Sequence, residues 1–219
     1  MYSLIVKDIL IQKKRMLISF LLIIFMIISF QSIGEAMFAA SVGAFTYSLL
    51  MVACAYEDMN KSNIMLNSLP IKKSKIVAAK YVSIFVFFIM GTIIYYVCHV
   101  VASITKMPFT LYPLSFEMFV GGLASVCLMQ GIYLPIFFKV GYVKSKILNF
   151  IIFFTFFYGI SYLITIIQRD TIIPWINRLN EFIQVRGQVF SAMILLGVIT
   201  VFILASYSLS VKFYKQREF

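Results

Sequence analysis

Charge is scarce in this sequence of 219 residues. Asp, Glu, Lys and Arg make up 12% against 62% apolar residues, and the mean hydropathy is +0.99. A soluble domain carries about a quarter charged residues, so the composition excludes a soluble enzyme, a nucleic-acid-binding domain and a disordered tail. Histidine is nearly absent. His99 alone does not make an intramembrane metal site, which needs several ligands converging at one depth. Cysteine is sparse too. Cys54, Cys98 and Cys127 lack CxxC spacing and lie in apolar runs, so neither a disulfide framework nor a zinc site follows. There is no GxSxG elbow, no Ser/His/acid set and no GxxxxGKS/T loop. That leaves no catalytic residue, no cofactor site, and no means for the chain to hydrolyse ATP by itself.

What the sequence has is apolar runs. Six of them, 16–34, 37–55, 81–103, 117–138, 147–167 and 189–211, are each long enough to cross a hydrocarbon core of about 30 Å. They predict an all-α polytopic membrane protein with six transmembrane helices, one transmembrane domain over 1–219. Only residues 31–36 separate the first two runs, so that turn must be tight. The first run follows Lys13-Lys14-Arg15, as a signal peptide's apolar region would. The second run comes almost at once and no convincing cleavage site precedes it, so a retained helix is expected. The net charge of +11 is distributed unevenly. Fifteen of the 19 Lys and Arg fall in the amino end, 56–80, 139–146 and 212–219, whereas the eight acidic residues divide equally between the two sides. This positive-inside pattern places both termini in the cytoplasm of a cell membrane. No Asp, Glu, Lys or Arg lies deep in a run, which argues against an ion-coupled carrier. It suits a permease powered from outside the membrane, or a structural membrane protein.

The amino end, 1–15, is amphipathic. Tyr2, Ile5, Val6, Ile9 and Leu10 share one arc, and Ser3, Lys7, Asp8, Gln12 and Lys14 fall largely on the other. This predicts an interface helix lying in membrane lipid at the inner surface. The outer loop, 168–188, places Trp175, Ile176, Leu179, Phe182 and Ile183 at helical spacing. Gly121, Gly122, Gly131 and Pro135 predict close packing and a kink near the inner end of the fourth run.

The loop 56–80 is the most informative segment. Glu57 and Asp58 open it, Ile64, Met65 and Leu66 follow, and Lys72, Lys73 and Lys75 precede the third run. Pro70 disfavours helix at Leu69, and Ser74 can cap the next helix. The apolar cluster in a charged cytosolic loop must be covered by a partner surface or by the protein's own inner helix ends. Within the second and fifth runs, Ser41, Thr46, Tyr47, Ser48, Asn149, Thr155, Tyr158, Ser161 and Thr165 place polar groups on apolar walls. Such groups suit an amphipathic solute and equally suit helix–helix hydrogen bonds.

The acidic start, the Asn67-Ser68-Leu69-Pro70 turn, the lysines and the exit Ile76-Val77-Ala78-Ala79-Lys80-Tyr81 resemble the loop between the second and third helices of bacterial ABC-2-type transporter permeases. The nearest class is the short six-helix permeases of Gram-positive bacteria, including those of the phenol-soluble modulin exporters. The resemblance covers most of the chain, and the missing ATP site agrees with a family whose ATPase is a separate polypeptide. It implies a type V exporter-like fold and a second permease chain, identical or related, with the pair seated on ABC ATPase subunits. Glu57, Asp58, Lys61, Ser62, Ile64, Met65, Leu66 and Leu69 would then form the ATPase-coupling segment. Asp58 and Lys61 would supply charged contacts, and Met65 and Leu66 an apolar plug. Ile5, Val6, Ile9 and Leu10 would belong to the interface helix that levers the bundle. Thr46, Tyr47, Asn149, Thr155, Tyr158 and Ser161 would line a substrate path. The implied function is outward movement of amphipathic peptides or other hydrophobic solutes. Export of a lantibiotic or an ion, or a non-transporting accessory or immunity role, are the alternatives.

Overall fold

The computed structural model describes residues 2–12, 16–60, 62, 65, 68, 71–105, 111–168 and 188–217. All regular structure among them is helical: α1 (Tyr2–Ile11), α2 (Met16–Ser29), α3 (Ala36–Met59), α4 (Lys73–Thr105), α5 (Phe116–Gln168) and α6 (Gln188–Gln216). Each expected run lies wholly or largely on a helix, but the runs are not equal. Four helical stretches among the described residues are long and apolar enough to cross a membrane: Ala36–Met59, Lys73–Thr105, Phe116–Ser145 and Val189–Gln216. Met16–Ser29 and Ile147–Phe156 are apolar but shorter. The 14 residues of α2 reach only about 21 Å at 1.5 Å per residue. The tight turn expected at 31–36 is a 3-10 turn, Gln31–Ile33, closed by Gly34 at a φ of 65°.

Helix α3 is the centre of the bundle and packs on α2, α4 and α5, while α6 packs on α5 and α4. Its sequence explains the placement. Ala40, Ser41, Gly43 and Ala44 are small and let neighbouring backbones approach, the usual basis of helix association in lipid. Phe38 is fully buried and meets the Tyr95 ring edge-on at 5.0 Å. A Cβ at Gly122 would come within 2.5 Å of the Phe38 ring, and one at Gly131 within 2.5 Å of Phe202. Close packing is thus found at these two glycines, whereas Gly121 has nothing within 4 Å. Tyr81 of α4 sits 2.6 Å from Ser206 Oγ and 2.8 Å from Ser210 Oγ, and Ser206 donates to Gly131 O at 2.6 Å. These bonds tie α4, α5 and α6 together. Outward, Ile89, Ile93 and Val97 of α4 and Met193, Val201 and Leu204 of α6 are exposed, as apolar side chains surrounded by hydrocarbon would be.

One local expectation is corrected, and the kink expected near the inner end of the fourth run is located. Ser74 does not cap α4, because the helix already begins at Lys73; its carbonyl instead accepts Tyr207 Oη at 3.3 Å. In α5 the helix continues through Pro135 and breaks at Gly141, where φ is 77° and ψ 175°. That conformation is essentially open to glycine alone. A Cβ there would also lie 2.6 Å from the Arg217 guanidinium. Gly141→Ala is therefore expected to cost at least about 1–3 kcal/mol, read as a Tm lower by several degrees in detergent. An unchanged Tm would contradict this account of the break. Ser115 caps the other end of α5, accepting the Met118 N–H at 3.2 Å.

Candidate functional site

Two carboxylates, Glu57 and Asp58, stand in the last turn of α3. The carboxy end of a helix carries partial negative charge, so both need compensation from elsewhere. For Glu57 it comes from α1 and α4. Lys80 Nζ lies 2.7 Å from Glu57 Oε2 and 2.9 Å from both carboxylate oxygens of Asp8. Lys7 Nζ stands 3.7 Å from Glu57 and from Asp8, and Ser83 donates to Asp8 at 3.4 Å. Glu57, Asp8 and Lys80 are each 2% exposed. Burying such charges is costly unless they are paired; here two ammonium groups meet two carboxylates and the cluster is neutral. For Asp58 the compensation comes from the opposite side. Its Oδ2 accepts the Tyr142 N–H at 3.0 Å, capping the second arm of α5, and its Oδ1 accepts from Arg217 of the carboxy-terminal tail at 3.2 Å.

Beyond α3 the chain turns into the expected coupling segment. Ser62 donates back to Glu57 O at 2.9 Å, and Ser68 donates to Met65 O at 2.8 Å. Met65 is 69% exposed. Lys61, Ile64, Leu66 and Leu69 lie outside the described residues. Of the segment expected to meet an ATPase, the structure thus presents Met65 outward and turns Glu57 and Asp58 inward.

The amino-terminal helix forms, but two members of its polar arc, Asp8 and Gln12, are buried while Ser3 is exposed and Lys7 partly so. Asp8 is buried in the ion cluster. Gln12, just past the helix, is buried and donates to Leu49 O of α3 at 2.8 Å. Ile5, Val6 and Ile9 are half-buried and Leu10 is 64% exposed. Sequence periodicity placed Asp8 and Gln12 on the polar arc of a helix lying in the membrane interface. The structure buries both, and Lys80 and the α3 backbone supply the partners that water would otherwise supply. The sequence carried one signal of this: Lys80 stands directly against the third apolar run, in Ala78-Ala79-Lys80-Tyr81.

On the membrane side, a cavity of about 650 Å³ opens between α2, α3 and the second arm of α5. Leu22, Ala44, Met51, Phe150, Phe153 and Phe154 line it, with Tyr47, Ser48 and Asn149 as its polar members. Tyr47 Oη donates to Asn149 O at 2.9 Å, joining α3 to that arm. Of the six expected path residues, Tyr47 and Asn149 meet at this cavity. Thr155 and Tyr158 line an adjoining recess with Phe154 and Tyr162. Thr46 is buried and donates to Val42 O of its own helix at 2.8 Å. The side chain of Ser161 lies outside the described residues, as does the outer loop from 169 to 187. Among the described residues, no three His, Cys, Asp or Glu side chains converge as metal ligands would.

A family model described as ABC-2 family transporter protein matches residues 3–215. No curated protein and no solved structure matches the chain.

Proposed function

The chain belongs to the ABC-2 transporter family, and we propose that it is the membrane-spanning permease subunit of an ATP-driven exporter. The family match over nearly the whole chain carries this reading, together with a multi-pass helical bundle. A separate ABC ATPase would dock on the loop between α3 and α4. Met65, outward and apolar, would be buried by it with its neighbour Leu66, while Ser62 and Lys61 would lie at the rim. A second permease chain would complete the transporter. Its proposed cargo is an amphipathic peptide or another hydrophobic solute. The cavity against Tyr47, Ser48 and Asn149 supports that class: its volume falls in the range of ligand cavities, about 300–1,000 Å³, with apolar walls and few polar groups.

Inverted membrane vesicles holding the chain and its ATPase are expected to accumulate a fluorescent amphipathic helical peptide only when ATP is supplied. ATP-driven uptake of a polar solute or ion instead of the peptide would overturn the cargo assignment.

Orientation is testable separately. In a chain with Cys54, Cys98 and Cys127 replaced, Ser62→Cys should resist an impermeant thiol reagent in intact cells, whereas Asn177→Cys should react. Labelling of Ser62→Cys from outside would refute a cytoplasmic loop.

A further inference from the structure

We propose that Glu57 and Asp58 are positioning residues that hold the coupling loop at a fixed angle to the bundle; this rests on the reading of that loop as the ATPase contact. Adjacent residues of a helix point about 100° apart, and these two carboxylates use that divergence to reach different partners. Glu57 reaches Lys80 in the second turn of α4 and Lys7 of α1. Asp58 reaches Tyr142 N–H at the break in α5 and Arg217 in the tail. The root of one short loop is therefore fastened to four segments distant in sequence. Ser62 fastens the loop itself to the same point, by its bond to Glu57 O at 2.9 Å.

The chemistry of the junction favours a positioning role over simple solubility. A carboxylate meant only to keep a loop in water would stay in water, since removing it is costly unless it is paired. Here both are withdrawn and each is met by a cation. Charge pairs from two sides restrain the last turn of α3, and Met65, further along the loop, is exposed. Neutralising either carboxylate leaves Met65 and Leu66 chemically intact. The loop can still meet a partner, but its angle to α1, α4 and α5 is no longer held.

The test reads the loop directly. Spin labels are placed at Leu10 and Ser68, both exposed, in the cysteine-free full-length chain, and the distance distribution is measured in lipid nanodiscs without ATPase. The wild-type background should give a narrow distribution. Asp58→Asn, on the more exposed side, should broaden it while leaving Tm close to wild type; Glu57→Gln should broaden it and also lower Tm, because it leaves a buried lysine short of a counter-charge. If Glu57→Gln does not fold, Asp58→Asn and Arg217→Gln carry the same expectation from the more exposed side, with Arg217→Lys restoring the narrow distribution. Unchanged distributions in the folded variants would overturn the proposal. The second arm adds the ATPase. Stimulation of hydrolysis should fall about tenfold, equivalent to 1.4 kcal/mol, with association changed by less than about twofold. Equal losses of both would also overturn it. Failure of the wild-type chain to bind the ATPase would sink the coupling reading instead, and the distance measurement would still decide whether the two carboxylates position the loop.

Discussion

Replacing Lys80 by methionine is expected to cost about 3–5 kcal/mol, the range for removing one partner of a buried ion pair. The ammonium group is the main counter-charge of both Asp8 and Glu57. Without it, two carboxylates face each other across a 2%-exposed site where, among the described residues, Lys7 at 3.7 Å is the remaining cation. Size-exclusion profiles after graded heating in detergent should show the variant lost far below the wild-type temperature. Lys7→Met should cost less than about 1 kcal/mol, because that side chain is partly solvated and its contacts are long. The triple change Asp8→Asn, Glu57→Gln, Lys80→Met should recover much of the loss, since it removes the orphaned charges along with their partner. A single Lys80→Met variant as stable as wild type would show that the cluster is not a structural element.

This cluster also marks where sequence reading stopped. The apolar runs were legible because about 20 uncharged residues in lipid have little option but a helix. The turn after α2 was legible from the six residues available to make it. Amphipathicity gave α1 its two arcs but not their direction. A polar arc is satisfied equally well by water or by charges far along the chain, and Lys80 is 72 residues from Asp8. The interruption between the fourth and fifth runs was legible as the segment 139–146, but its form, a break at a single residue, was not. Pro135 is a local signal, whereas Gly141 breaks the helix where Asp58, 84 residues before Tyr142, accepts the freed N–H and where Arg217 would meet any Cβ. The candidate path was half legible. Hydroxyls on apolar helices were visible, but which turn to their own backbone, as Thr46 does, depends on helix rotation within the bundle.

The second large effect belongs to the loop between α3 and α4, the proposed ATPase contact. Replacing Met65 and Leu66 together by serine removes two apolar side chains, each worth about 1.5–3 kcal/mol when fully buried. Association with the ATPase should therefore weaken by more than tenfold, given about 1.4 kcal/mol per factor of ten. Membrane insertion and Tm should be unchanged, because neither residue belongs to an apolar run and Met65 already faces outward in the isolated chain. A double variant that still binds and stimulates the ATPase fully would move the contact away from this loop.

The central claim is that a separate ATPase drives this membrane subunit through its inner face. The most direct measurement is co-purification: the tagged full-length chain, co-expressed with a candidate ABC ATPase subunit, is extracted from membranes and captured in detergent. The account predicts that the ATPase is retained in a defined complex and that its ATP hydrolysis rises when the complex is reconstituted into lipid. Recovery of the chain alone, with hydrolysis by the ATPase indifferent to its presence, would contradict it.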